Sequence, residues 1–291
     1  MRLACLAWPV EPTPDVAGFA ARLGDWAAEA KAGGADLLLL PEYACVELGA
    51  ALTGQSAPDA ATELRAMVEV APAILAAMRD VARRHGIWLQ PGTLPMREGG
   101  RFVNRAPLIA PDGSLAMQEK RQMTRFETEH WGISAGAPPH VFETPWGRIG
   151  IAVCYDAEFP ALVRAQVEAG AWLILVPTCT DTAHGFNRVR VGAQARAMEN
   201  QCFVAVAPTL GGFEGSVALD ENHGAAGVYG PIDRGFAADG VVAELPFDQP
   251  GLLFADLDPA RLEAVRQDGA VRNHRDWPHA TVPTAEPAVF S

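Results

Sequence analysis

The segment Arg148-Ile149-Gly150-Ile151-Ala152-Val153-Cys154-Tyr155-Asp156-Ala157-Glu158-Phe159-Pro160 decides how the chain is read. Its first half is short and apolar, the pattern of a strand buried in a parallel sheet. Pro160 suits the first turn of a following helix. Cys154 falls at the junction between the two. A thiol there lies near helix N-terminal amides, which favour the thiolate and can receive an oxyanion. Two readings follow, a nucleophile or a small side chain that only fills the core.

Working outward, a second apolar run, Ala35-Asp36-Leu37-Leu38-Leu39-Leu40-Pro41-Glu42-Tyr43, stops at a proline and delivers a carboxylate just past the strand end. In open parallel sheets, ligands bind outside the carboxyl ends of the strands. Glu42 and Cys154 share that location if the two strands are neighbours; otherwise Glu42 is a loop carboxylate with a surface partner. A basic segment supplies a third group. After the turn Pro111-Asp112-Gly113-Ser114, the run Gln118-Glu119-Lys120-Arg121 closes another strand. Lys120 is either a solvated charge or a cation beside the thiol, where it would favour the thiolate and an oxyanion.

Together these pieces resemble the nitrilase superfamily of carbon-nitrogen hydrolases. Leu40-Pro41-Glu42-Tyr43 looks like its glutamate motif, Glu119-Lys120-Arg121 with Phe126-Glu127 its lysine motif, and Cys154-Tyr155-Asp156 with Phe159-Pro160 its cysteine motif. Gln194-Ala195-Arg196-Ala197-Met198-Glu199-Asn200-Gln201 is similar to a further family stretch. The resemblance implies an α/β fold, a four-layer α-β-β-α sandwich, commonly dimerised through a helical face. It implies a Glu42-Lys120-Cys154 triad, with Glu127 orienting the lysine and the substrate, and no cofactor or metal. Glu129 is read as a solvated acid.

Length and composition agree. With 291 residues, 49% of them apolar, and no linker or low-complexity tract, one domain over 1–291 is expected. A net charge of −12 argues against nucleic-acid or anionic-membrane partners. The apolar start is too short for a signal peptide, and no run reaches membrane-spanning length. The scattered cysteines Cys5, Cys45, Cys154, Cys179 and Cys202 suit free thiols and a reducing cytoplasm. Strands are predicted at 2–7, 36–40, 86–91, 102–110, 115–120, 148–154, 172–177, 202–207, 225–229 and 252–256. Helices are predicted at 15–32, 60–84, 160–169, 188–200 and 259–266. The alternation implies packed layers.

The substrate is read from departures within the motifs. Nitrile-cleaving members tend to follow the cysteine with Trp-Glu, whereas Tyr155-Asp156 stands here, which favours a small-molecule amide. Relatives acting on carboxylate-bearing amides or carbamoyl amino acids often place Arg at the position of Glu158. A glutamate there disfavours an anionic substrate unless Arg188 or Arg190 pairs it. Asp181 past the next strand would add negative charge, Trp131 would wall the site, and Tyr155 would offer its backbone N–H to an oxyanion. The 209–223 loop, with Phe213 and Glu214, is the expected specificity element.

Rival readings were weighed. Gly132-Ile133-Ser134-Ala135-Gly136 matches G-x-S-x-G but lacks the strand before it and the helix after it. His274, Asp276 and His279 make poor metal geometry around Pro278. Nitrile or N-carbamoyl hydrolysis, acyl transfer, and a non-catalytic scaffold remain as alternatives.

Overall fold

The computed structural model describes residues 1–54 and 59–280. In chain order it runs β1 (Arg2–Pro9), α1 (Val16–Ala32), β2 (Leu37–Leu39), α2 (Gly49–Leu52), α3 (Ala60–His85), β3 (Trp88–Gln90), β4 (Leu94–Glu98), β5 (Arg101–Ile109) and β6 (Leu115–Glu119). The second half holds β7 (Val141–Thr144), β8 (Gly147–Ile151), α4 (Pro160–Glu168), β9 (Leu173–Thr178), α5 (Ala183–Asn200) and β10 (Phe203–Leu210). It ends with β11 (Gly227–Tyr229), β12 (Val241–Glu244), β13 (Gly251–Asp256), α6 (Pro259–Asp268) and α7 (Asn273–Asp276).

β1 organises the architecture. Along most of its length it pairs with β2 in parallel and β13 in antiparallel. Only its last residues, Trp8 and Pro9, pair with Thr209 and Leu210 of β10. A first sheet, β4-β5-β3-β2-β1 with β6 and β13 at its margins, thus meets a second, β12-β11-β10-β9-β8-β7, at one corner. Side chains alternate across a strand, and β1 shows the result. Leu3, Cys5 and Ala7 pack into the core shared with second-sheet residues such as Ile174 and Val204. Ala4, Leu6 and Trp8 face Phe19 and Leu23 of α1 and Met67 and Ile74 of α3. Val163 of α4 and Val189 and Ala193 of α5 pack on the second sheet's core. This is the α-β-β-α sandwich that the motifs implied. Each fully buried leucine stabilises it by about 1.5–3 kcal/mol.

Most helix boundaries fall where expected, but α5 begins at Ala183 rather than 188. The hydroxyl of Thr182 accepts from the N–H of Gly185, and this cap starts the helix before any apolar period is visible. β4, β7 and β12 escaped the sequence reading because they are short and largely uncovered. Among the described residues, no helix is long and apolar enough to cross a membrane.

Candidate active site

Glu42 is placed by a tight turn. β2 ends at Leu39, the N–H of Leu40 donates to Gln90, and Pro41 redirects the chain. Tyr43 has φ +60°, and its N–H donates to Thr93 Oγ1 at 3.1 Å. Gly92, with φ +81°, lets the turn approach: a Cβ there would run into the carbonyl oxygen of Pro41. The carboxylate of Glu42 is thereby buried at the carboxyl end of its sheet.

Lys120 follows β6, its backbone N–H bonded to Asn104 O. Its side chain is 1% exposed. Nζ donates to Glu42 Oε1 at 2.8 Å and to both oxygens of Glu127, at 2.8 and 2.7 Å. Glu127 opens a π-helical turn over Glu127–Trp131 and is itself fixed. Its Oε1 accepts from the Tyr43 hydroxyl at 2.8 Å, and its Oε2 from Thr124 N at 2.9 Å and Oγ1 at 3.0 Å.

Cys154 arrives from the other sheet. β8 stops at Ile151, three residues sooner than predicted, and a 3₁₀ turn over Cys154–Glu158 precedes α4. Cys154 itself has φ +49°, a left-handed conformation that costs a non-glycine residue on the order of 1 kcal/mol. Its Sγ lies 3.7 Å from Cys179 O. Asp156 accepts from the N–H groups of Arg121 and Gln122, the latter at 2.6 Å, and so fastens the cysteine turn to the residues after Lys120.

The electrostatics follow from burial. Glu42 is raised to about 7 by desolvation, partly offset by Lys120 and reinforced by Glu127. Burial works against a charged Lys120, but the adjoining carboxylates, Glu127 foremost, overcome it and hold the ammonium charged, well above the ordinary lysine value. The Cys154 thiol is pushed well up by burial and then by the Glu42 charge, against the pull of Lys120. Lys120 does favour the thiolate, as expected, but its pull is the smaller effect. α4 begins only at Pro160, and desolvation prevails. Burial thus favours the protonated thiol, and Glu42 is the carboxyl group within hydrogen-bonding reach of it.

The structure therefore brings Glu42, Lys120, Glu127 and Cys154 together. Trp131 reaches them through Tyr43, ring to ring at 5.6 Å and edge-on. The half-buried Tyr155 packs edge-on against Phe159 at 4.8 Å. Glu158 is paired with Arg188 at 3.6 Å, while Arg190 binds Glu244 instead. Asp181 is exposed, bonded to the hydroxyl of Thr182, and shares no hydrogen bond with the cluster among the described residues. Glu129, expected as a solvated acid, pairs with Arg125 on the surface, and Arg196 pairs with Glu199. Ser134 lies outside any strand-to-helix junction. Among the described residues, no group of three or more His, Cys, Asp or Glu side chains is arranged to hold a metal ion.

Sequence reasoning missed Tyr43, Asn104, Thr124 and the tether made by Asp156. Asn104 left one trace, an amide within the predicted strand 102–110. The 209–223 loop is anchored by Glu63 of α3, which accepts from Ser216 Oγ, Val217 N and Ala218 N at 2.9–3.0 Å. Phe213 and Leu219 join the apolar cluster that includes Tyr43 and Trp131.

A buried thiol, carboxylate and ammonium thus meet at the strand ends of an α-β-β-α sandwich, and similarity to known proteins says which class shares that arrangement. The chain belongs to the carbon-nitrogen hydrolase family, whose model matches residues 2–267. It is a hydrolase of carbon–nitrogen bonds other than peptide bonds. The probable hydrolase YhcX of Bacillus subtilis (strain 168) is 34% identical over 83% of this chain and 46% of its own length. The chain thus spans about half the length of that relative. Deaminated glutathione amidase of Synechocystis sp. (strain PCC 6803 / GT-S) is 30% identical over 68% of this chain and 74% of that protein. A solved structure of a mutant of the amidase from Nesterenkonia sp. AN1 superposes with a TM-score of 0.69 at 30% identity, covering 95% of this chain and 99% of that one.

Proposed function

We propose that the protein hydrolyses a small amide through a thioester on Cys154. The observation that carries this reading is the Lys120 ammonium bridging Glu42 and Glu127 beside a thiol held at φ +49°. An amide carbonyl is a poor electrophile, so its hydrolysis needs a strong nucleophile, a proton carrier and oxyanion stabilisation. Sγ of Cys154 attacks the carbonyl carbon as Glu42 takes the thiol proton. The oxyanion is met by the backbone N–H of Tyr155 and by Lys120. Collapse breaks the C–N bond, and the Glu42 proton leaves with ammonia or an amine. Water then attacks the thioester, Glu42 takes its proton, and the acid departs as the thiol re-forms. Glu127 keeps Lys120 in place throughout.

Amides rather than nitriles are favoured by Tyr155-Asp156 and by relatives named amidases, including omega-amidase NIT2-B of Xenopus laevis, 27% identical over 68% of this chain. In the Nesterenkonia mutant structure, acrylamide has added at the active site cysteine. One cation between two carboxylates leaves the site net negative when Glu42 is ionised, which supports a neutral or amine-bearing substrate. Arg188 shares the charge of Glu158, so that residue adds less repulsion than its identity alone suggests. The 209–223 loop, beside Trp131, is assigned to acyl-group selection.

The test is intact-protein mass spectrometry after mixing with neutral, cationic and anionic amides, with Cys154→Ala as control. An acyl adduct, or amine release, that vanishes in the control is expected. Turnover surviving Cys154→Ala would overturn the mechanism, and faster turnover of a glutaramate-type amide than of its uncharged analogue would overturn the substrate preference alone.

A further inference from the structure

Asn104 sits within β5, opposite Pro95 of β4, and is 0% exposed. Its backbone carbonyl accepts the N–H of Lys120, so the strand that carries it also sets the height of the lysine. Its side-chain Nδ2 donates to Glu42 Oε1 at 2.9 Å. That same oxygen already accepts from Lys120 Nζ at 2.8 Å. Oδ1 of Asn104 is buried without a hydrogen-bond partner among the described residues. An amide buried this deeply ordinarily satisfies both ends, since a buried acceptor left unpaired forfeits its hydration without compensation. The orientation with Oδ1 unpaired is the one that presents a donor to the carboxylate; the reverse would set two acceptors against each other.

We propose that Asn104 is a positioning residue that makes the two oxygens of Glu42 unequal, tying up Oε1 so that proton transfer runs through Oε2. This rests on the reading of Glu42 as the base. With Oε1 holding two donors, its lone pairs are spent on Nδ2–H and Nζ–H. The proton from Cys154 goes to Oε2, then to the leaving nitrogen, while both bonds to Oε1 persist. A carboxylate pinned at one oxygen cannot rotate about its terminal bond, so Oε2 keeps one direction through both half-reactions. The other charged or titratable neighbours of Glu42 are Lys120 and Glu127 from the lysine segment, Tyr43 beside it, and Cys154 and Cys179 from the second sheet. Asn104 is the neutral donor among them, so its loss alters the base without altering the net charge of the site.

Two variants test this, read by the pH profile of kcat/KM on any amide the enzyme turns over. Asn104→Leu removes the donor, and kcat is expected to fall about 10- to 100-fold with KM little changed, the usual consequence of losing a hydrogen bond to a charged group. The acid limb is expected to move to higher pH, because the carboxylate has lost a donor. Asn104→Asp keeps the shape but places a second carboxyl against Oε1, and the acid limb should move further in the same direction. Should Asn104→Leu fail to fold by thermal melting, Asn104→Asp decides the matter. Acid limbs that stay at the wild-type position in the folded variants overturn the proposal. Glu42→Gln, measured alongside, separates the two layers: if it retains turnover, the reading of Glu42 as base fails. If it is inactive while the Asn104 limbs are unmoved, only the role of Asn104 fails.

Discussion

Two glutamates five residues apart on one turn, Glu42 and Glu47, are buried equally and used oppositely. Glu47 is saturated. Its oxygens accept from Trp8 Nε1 at 3.0 Å, Thr13 Oγ1 at 2.6 Å and Arg22 Nη1 at 2.6 and 2.7 Å. Arg22 in turn lies over the Trp8 ring at 4.6 Å. Glu42 has both of its strong donors on one oxygen and a thiol for the rest. Burial raises both carboxyls above the ordinary range. What separates a chemical carboxylate from a structural one is therefore not its burial but whether a lone pair is left free to take a proton.

The sharpest way to break that contrast is to neutralise each in turn. Glu42→Gln is expected to lower kcat by on the order of 10³-fold, the range of general acid–base catalysis, with stability little changed. Glu47→Gln should cost on the order of 3 kcal/mol in denaturant unfolding, since it leaves Arg22 without its buried partner, and keep kcat within a few-fold while folded. Equal activity losses in the two would erase the distinction.

A pH series sharpens it. Glu42 is raised from 4.5 to about 7 and Asp156 from 3.8 to about 6. Between those limits the native state binds more protons than the unfolded chain. These groups therefore contribute stability that is present at low pH and lost as pH rises through about 6–7. On the proposed mechanism activity runs the other way, because it uses ionised Glu42, so kcat/KM should rise with pH over the same interval. A melting temperature that climbs with pH specifically in wild type, and not in Glu42→Gln, would contradict the assignment.

Tyr43→Phe removes the 2.8 Å bond to Glu127, two contacts from the chemistry. A loss of about tenfold in kcat is expected, with KM held, from steady-state kinetics. The smallest effect should come from Glu63→Gln. It disturbs the anchor of the 209–223 loop and is expected to raise KM a few-fold while kcat stays within twofold, roughly the worth of one weakened hydrogen bond. A kcat collapse there would move the loop from substrate selection into the catalytic machinery.

The contrast also explains what was legible in the sequence. Glu42 and Cys154 each follow an apolar strand, so their placement could be read from where hydrophobic runs stop, whereas Lys120 was read from a basic segment that closes the strand after a turn. Glu127 came from the family resemblance alone; its partner Tyr43 was invisible because it meets Glu127 across the fold, and Thr124, three residues away, because no pattern marks that local contact. The balance at the Cys154 thiol turns on a quantity no pattern carries, the depth of burial, which outweighs the nearby cation. β4, β7 and β12 were missed for want of periodicity, and the start of α5 for want of weight on a threonine cap. Glu158 was read as an unpaired charge or a partner of either arginine, and only packing could choose Arg188.

The corner at which β1 passes from one sheet to the other has a bearing on how the molecule comes apart. Glu42 and Lys120 hang from the first sheet, Cys154 and Cys179 from the second, and the bonds that join the sheets near them include the end of β1 on β10 and the Asp156 tether. A chain that loosened there would keep its strands, its helices and its circular dichroism while the thiol drifted from its base. Loss of turnover should then precede loss of secondary structure on heating. Competence is a property of the joined pair of sheets, and the enzyme stays silent until that joint is made.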